Sequence, residues 1–180
     1  MSVGRGISLL ILSAIHLVFF AIVYGDNWKS PGIQYAILGS IVLMLLAYVQ
    51  VPRPDVSKTK FELLVYPLAI VLAGILTFYI STDLAFGPVI ASAGFGFVAS
   101  HLNFFKSPLL KSLPVPIYCG TFVGMCSSLI AEDYFFVTYA GLVAGIIYLI
   151  TRDALNGIGG KLGSIAFGGV VVVLFIYELL

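Results

Sequence analysis

Apolar residues come in long runs separated by short polar breaks, and seven such runs stand out. They are Gly6–Tyr24, Gly32–Val51, Phe61–Ile80, Leu84–Ser100, Val115–Ala131, Tyr134–Ile150 and Leu162–Tyr177. A hydrocarbon core of ~30 Å takes about 20 helical residues, with about 17 at the short end. The first three runs are full length, and the last four sit near the lower limit. The pattern predicts an all-α integral membrane protein, a single bundle of seven transmembrane helices over residues 1–180. The run Met1–Gly25 has no Ala-x-Ala-like cleavage site and is longer than a usual signal core, so it is expected as a retained first span.

Small residues set the second half of the chain apart from the first. Of 19 glycines, 13 follow residue 80. Two copies of one pattern fall in adjacent runs: Tyr118-Cys-Gly120-x-x-x-Gly124 and Tyr139-Ala-Gly141-x-x-x-Gly145. Glycines four apart line one helix face and let a second backbone approach. Gly120, Gly124, Gly141, Gly145 and Gly168 are therefore the predicted packing positions. The fifth and sixth spans are expected to form a packed antiparallel hairpin. An intact fifth helix packed on the sixth and a fifth helix unwound at its glycines are both open readings.

The basic residues orient the bundle. With seven spans, Arg5, Arg53, Lys58, Lys60, Lys106, Lys111, Arg152 and Lys161 share one side, and only Lys29 lies on the other. The expected topology has the N-terminus in the cytoplasm and the C-terminus outside, in a plasma (inner) membrane. Asp83, Glu132 and Asp133 then face outward as an acidic mouth, which raises local cation concentration. The plainer account is that acids remain where bases are excluded.

Composition agrees: 61% of residues are hydrophobic and 9% charged, against about 25% charged in a soluble domain. There is no basic stripe to follow a phosphate backbone, so nucleic acid is not an expected partner. Cys119 and Cys126 are two helical turns apart, too far for a disulfide. They complete no metal site, and no metal or cofactor is expected.

Candidate chemistry is sparse. His16 is the one strongly polar ionisable residue deep in a span, a position for proton relay or substrate contact, or for one hydrogen bond to a neighbouring helix. The fifth span carries Thr121, Ser127 and Ser128 between Pro114, Pro116 and the glycines. If it unwinds, its carbonyls can coordinate a cation or polar solute. Lys161 lies in the glycine-rich run Asn156–Gly163 and is placed to meet a lipid headgroup or small anion at a helix N-terminus; a flexible hinge into the last span is the plainer account of that run. The last span's lysine lies at its edge, which excludes a retinal Schiff base buried in the bundle. No hydrolase or metalloprotease motif is present, and a catalytic role is not expected.

The leading reading is a small channel or secondary transporter for a small ion or polar solute. Its pathway runs through spans four to seven, with His16, Gly120, Thr121, Gly124 and Ser127 as candidate pathway residues. The bilayer and the solute are its partners, and a homo-oligomer is expected because so small a bundle encloses little space. The alternatives are an accessory subunit whose glycine faces dock a partner, or an intramembrane lipid-acting enzyme that needs His16 or Lys161.

Overall fold

A computed structural model describes residues 3–27, 31–49, 62–152, 154 and 159–179. Lys29, Arg53, Lys58, Lys60, Asp153 and the stretch 155–158 lie outside the described residues. The described residues are all-helical, with no strand. The α-helices are α1 (Val3–Asn27), α2 (Pro31–Val49), α3 (Glu62–Thr82), α4 (Pro88–Ser100), α5 (Pro108–Ser112), α6 (Pro114–Gly124), α7 (Tyr134–Thr151) and α8 (Lys161–Leu179). A 3-10 turn, His101–Phe104, follows α4.

Four stretches among the described residues are long and apolar enough to cross a membrane: Gly6–Asp26, Glu62–Thr82, Tyr134–Thr151 and Lys161–Leu179. The fourth and fifth apolar runs behave differently. Their helices have 13 and 11 residues, which rise only ~20 and ~17 Å. The fourth helix starts late because Gly87 takes φ 81° and Pro88 opens the helix behind it. That φ is one glycine adopts at little cost. Proline suits a first helical turn, where its missing N–H would lack a partner anyway. The fifth helix stops early: α6 ends at Gly124, seven residues short of Ala131. Of the two open readings, neither a helix intact over the whole run nor one unwound at Gly120 holds, because α6 is helical through both glycines.

The chain divides into two compact units, Met1–Ser57 with Ile150–Lys161, and Lys58–Leu149 with Leu162–Leu180. In the first, α1 packs on α2, and the Ser8 hydroxyl donates to the Ile150 carbonyl at 2.7 Å.

The second unit is built around α3. One face of this helix is a leucine stripe, Leu64, Leu68, Leu72 and Leu76, all exposed. Apolar side chains at that spacing and exposure suit lipid, because in water they would form an adhesive patch. The rest of α3 is buried at Tyr66, Ile70, Val71, Ala73, Gly74, Thr77 and Phe78; α6 and α7 dock on it, and α4 packs against it as well.

Helix α6 runs parallel to α3. A Cβ at Gly120 would meet the Ile70 carbonyl oxygen and, at 2.9 Å, the Ala73 Cβ. One at Gly124 would meet the Gly74 carbonyl oxygen and, at 2.7 Å, the Thr77 Cβ. Glycine Cα–H groups thus face carbonyl oxygens of the partner helix, contacts that contribute about 0.5–1 kcal/mol each.

Helix α7 runs antiparallel to α3. Tyr148 meets Tyr66 edge to face at 5.9 Å, and Tyr134 meets Phe78 at 5.5 Å. Between them Gly145 faces Pro67 and Gly141 faces Val71. Gly145 leaves room for the Pro67 ring, whose Cβ would lie 2.7 Å from a Cβ at 145. Gly74 touches both docked helices: its own Cβ would stand 3.3 Å from the Gly120 carbonyl oxygen and 3.6 Å from Val137.

Both Gly-x-x-x-Gly faces therefore turn toward α3, not toward each other as the hairpin reading expected. Around this trio, α4 packs antiparallel on α6 through Ser92 against Thr121 and Gly96 against Tyr118. Helix α8 packs antiparallel on α7 through Gly169 against Ala140 and Ala144, and Tyr177 against Phe136. Gly168, the packing position expected on this helix, is buried beside Gly169.

Gly124→Ala is expected to lower unfolding stability by about 1–3 kcal/mol, the cost of forcing a methylene into a filled site. Gly94→Ala, whose Cβ meets nothing within 4 Å, is expected to be neutral or to stabilise by up to about 1 kcal/mol. Thermal or denaturant unfolding of the two variants in one detergent checks the contrast.

Candidate functional site

Helix α6 ends inside the second unit. Gly124 lies level with Gly74 and Thr77, and α3 continues five residues past Thr77 to Thr82. That is about 7.5 Å of further helix. The last carbonyls of α6 are held by short-range bonds. The Met125 amide donates to Thr121 at 3.1 Å and to Phe122 at 3.3 Å, and the Cys126 amide donates to Val123 at 3.2 Å. Each carbonyl keeps a second lone pair.

Three hydroxyls are buried around this end. Thr121 is fully buried; it donates to the Tyr118 carbonyl at 2.9 Å and accepts from Ser92 Oγ at 3.0 Å. Ser92 comes from α4 and is 4% exposed. The third, Thr77 on α3, is also fully buried, and its Oγ1 has no hydrogen-bond partner among the described residues. Helical threonines usually satisfy their hydroxyl on the preceding turn, as Thr138 does here at 2.7 Å. A buried hydroxyl left alone costs about 1–3 kcal/mol.

Sequence analysis pointed to Thr121 and Gly124 but missed Thr77 and Ser92. The signal for Thr77 was Ala73-Gly74-x-x-Thr77, a small-residue face in an otherwise bulky span. Ser92 was one small polar residue among several in the fourth run and carried no distinguishing pattern.

The remaining candidates separate. Gly120 and Gly124 are filled on one side by the α3 backbone. Ser127 is exposed and shapes a turn: its carbonyl accepts from Ile130 and Ala131 at 2.9 Å, and its hydroxyl accepts from the Leu129 amide at 3.2 Å. His16 and Lys161 belong to the other unit. His16 Nδ1 lies 2.6 Å from the Leu12 carbonyl oxygen, one turn back on its own helix. Lys161 Nζ donates to the Arg152 carbonyl at 2.6 Å. Neither cysteine is in a disulfide, and the Cys119 thiol donates to the Leu162 carbonyl at 3.7 Å. No group of three or more His, Cys, Asp or Glu among the described residues is placed to hold a metal ion.

The acidic residues cluster where α3 ends and α7 begins. Asp83 accepts from the Tyr134 hydroxyl at 2.6 Å and from Thr82 at 2.8 Å. Asp133 caps α7, its carboxylate accepting from the Phe136 amide at 2.7 Å, the usual bond of an acidic N-cap to the third helical residue. Glu132 is exposed beside it. The Tyr134 hydroxyl, and after it Thr82, hold the Asp83 carboxyl below its usual value.

A carboxyl held low in the folded state favours folding at neutral pH, and that contribution fades as pH falls below the ordinary aspartate value of about 3.9. Tyr134→Phe removes the larger of the two donors. The wild type is expected to lose stability more steeply than Tyr134→Phe between about pH 5 and pH 3, read as melting temperature against pH. Parallel curves would contradict this.

No family model matches the chain, and no curated protein or solved structure matches it.

Proposed function

We propose that this chain is a small membrane channel or secondary transporter for a small ion or polar solute. Its pathway, in spans four to seven with Thr77 of the third span beside them, passes the buried hydroxyls where α6 ends. The observation that carries the reading is the end of α6 at Gly124, below the end of α3, with Thr77 against Gly124 and the buried Ser92–Thr121 pair in the turn before it. Non-helical backbone inside a membrane bundle is tolerated where it is buried in protein or lines a cavity, and transporters place their solute sites at such breaks.

The proposed topology is seven spans with a cytoplasmic N-terminus in a plasma (inner) membrane. Alternating helix directions support it. Within the second unit α3 and α6 run one way, and α4 and α7 the other; α8 runs opposite to α7. Five successive crossings require this alternation. The eight-to-one distribution of basic residues supplies the orientation.

The alternative of an accessory subunit docked through its glycine faces has less support. Gly120, Gly124, Gly141, Gly145 and Gly169 all meet helices of this chain, so those faces are not free for a partner.

The test is flux in proteoliposomes across a panel of monovalent ions and small polar solutes. The expected result is flux of at least one species above empty vesicles, reduced in Thr121→Val. No flux for any member of the panel would sink the proposal.

A further inference from the structure

We infer that Thr77 and the last turn of α6 form a binding site for an alkali-metal cation stripped of most of its water. This rests on the pathway reading above and names the class of ion that the pathway holds.

Four observations lead to this ligand. First, Thr77 Oγ1 is fully buried without a partner, and the Thr77 Cβ stands against Gly124 at the end of α6. A hydroxyl there is waiting for a polar atom that the described residues do not supply. Second, the turn of α6 that ends at Gly124, against which the Thr77 Cβ stands, carries oxygen donors. The Thr121 hydroxyl and the carbonyls of Thr121, Phe122 and Val123 lie in the same turn, each carbonyl with a lone pair beyond its cap bond. Hard oxygen donors suit alkali and alkaline-earth cations, not soft metals.

Third, the dipole favours positive charge. A helix C-terminus carries partial negative charge, and α6 with 11 residues is long enough to have one. Fourth, the carboxylates of Asp83, Glu132 and Asp133 sit on the connections that leave α3 and α6 at this same end. No Lys or Arg occurs in 62–105 or in 112–151 to offset them. A cation is therefore concentrated at this end and an anion repelled.

The charge of the ion follows from its ligands. None of the inner donors is a carboxylate, so a divalent ion would keep its full charge in a buried place. The desolvation cost of that exceeds what neutral oxygens return. A monovalent ion bears the same neutral ligands, as in carbonyl-lined potassium sites. A proton is excluded as the bound species because no inner group titrates near neutral pH.

The experiment is equilibrium binding of radioactive sodium and rubidium to the purified full-length protein in choline buffer. Saturable binding of one of them is expected, displaced by unlabelled alkali cation but not by magnesium or choline. Thr77→Ser should retain it. Thr77→Val, which keeps the shape and removes the oxygen, should weaken it by about tenfold or more. The same variant should melt no lower than wild type in choline, because it loses only a hydroxyl without a partner, and should lack the alkali-dependent rise in Tm.

Absent binding, displacement by magnesium, or equal affinity in Thr77→Val overturns the site. Wild-type binding and its competition pattern decide the matter even if the valine variant does not fold. Alkali binding without flux in proteoliposomes would leave the site standing and remove the pathway reading. Flux of a panel solute with no alkali binding would leave the pathway reading standing and remove the site.

Discussion

Backbone-to-backbone approach at α3 is the constraint on which the second unit depends. In lipid there is no hydrophobic drive between helices, so association rests on close packing and on the polar contacts that closeness allows. Here α3 offers Ala73, Gly74 and Thr77 to α6 and Pro67 and Val71 to α7, and each partner answers with a pair of glycines four apart. The result is a helix with two unlike faces. Leucines at 64, 68, 72 and 76 point away from the bundle, and the small residues accept two neighbours at once.

That packing explains how a short α6 is tolerated. An 11-residue helix cannot span a bilayer, and its last carbonyls would be costly in hydrocarbon. Docked on α3 over Ile70 to Thr77, it ends within protein, and the amides of Met125 and Cys126 close its final turn. The chain then folds back through the Ser127 turn, buries Ala131, and starts α7 on the Asp133 cap. The same closeness that holds α6 brings a buried hydroxyl on α3 beside the helix end, so packing and the proposed ion site share residues.

Much of the helical membrane character was legible in the run lengths, since long apolar stretches with short polar breaks admit few other structures. Helix ends were less legible. Apolar character continues through Cys126, Leu129 and Ile130, so hydrophobicity alone extends the fifth span to Ala131. In the structure the glycine pairs face α3, whereas the sequence pattern pairs the fifth and sixth spans with each other. Most of the glycines lie in the second half of the chain, whereas the receiving helix needs only Gly74, because Ala73 and Thr77 are small enough beside it. Thr77 was invisible for the same reason: a lone threonine in an apolar run is common, and only the geometry shows that its hydroxyl has no carbonyl of its own turn. Asp83 and Tyr134, 51 residues apart, have no sequence pattern that pairs them.

The central claim is that the fifth apolar run is an interrupted helix held on α3. Carbon-13 backbone chemical shifts, measured by solid-state NMR on the protein in lipid bilayers, test it most directly. The account predicts helical shifts from Pro116 through Gly124 and a break in them at Cys126 and Ser127. Helical shifts continuing through Ala131 would contradict it.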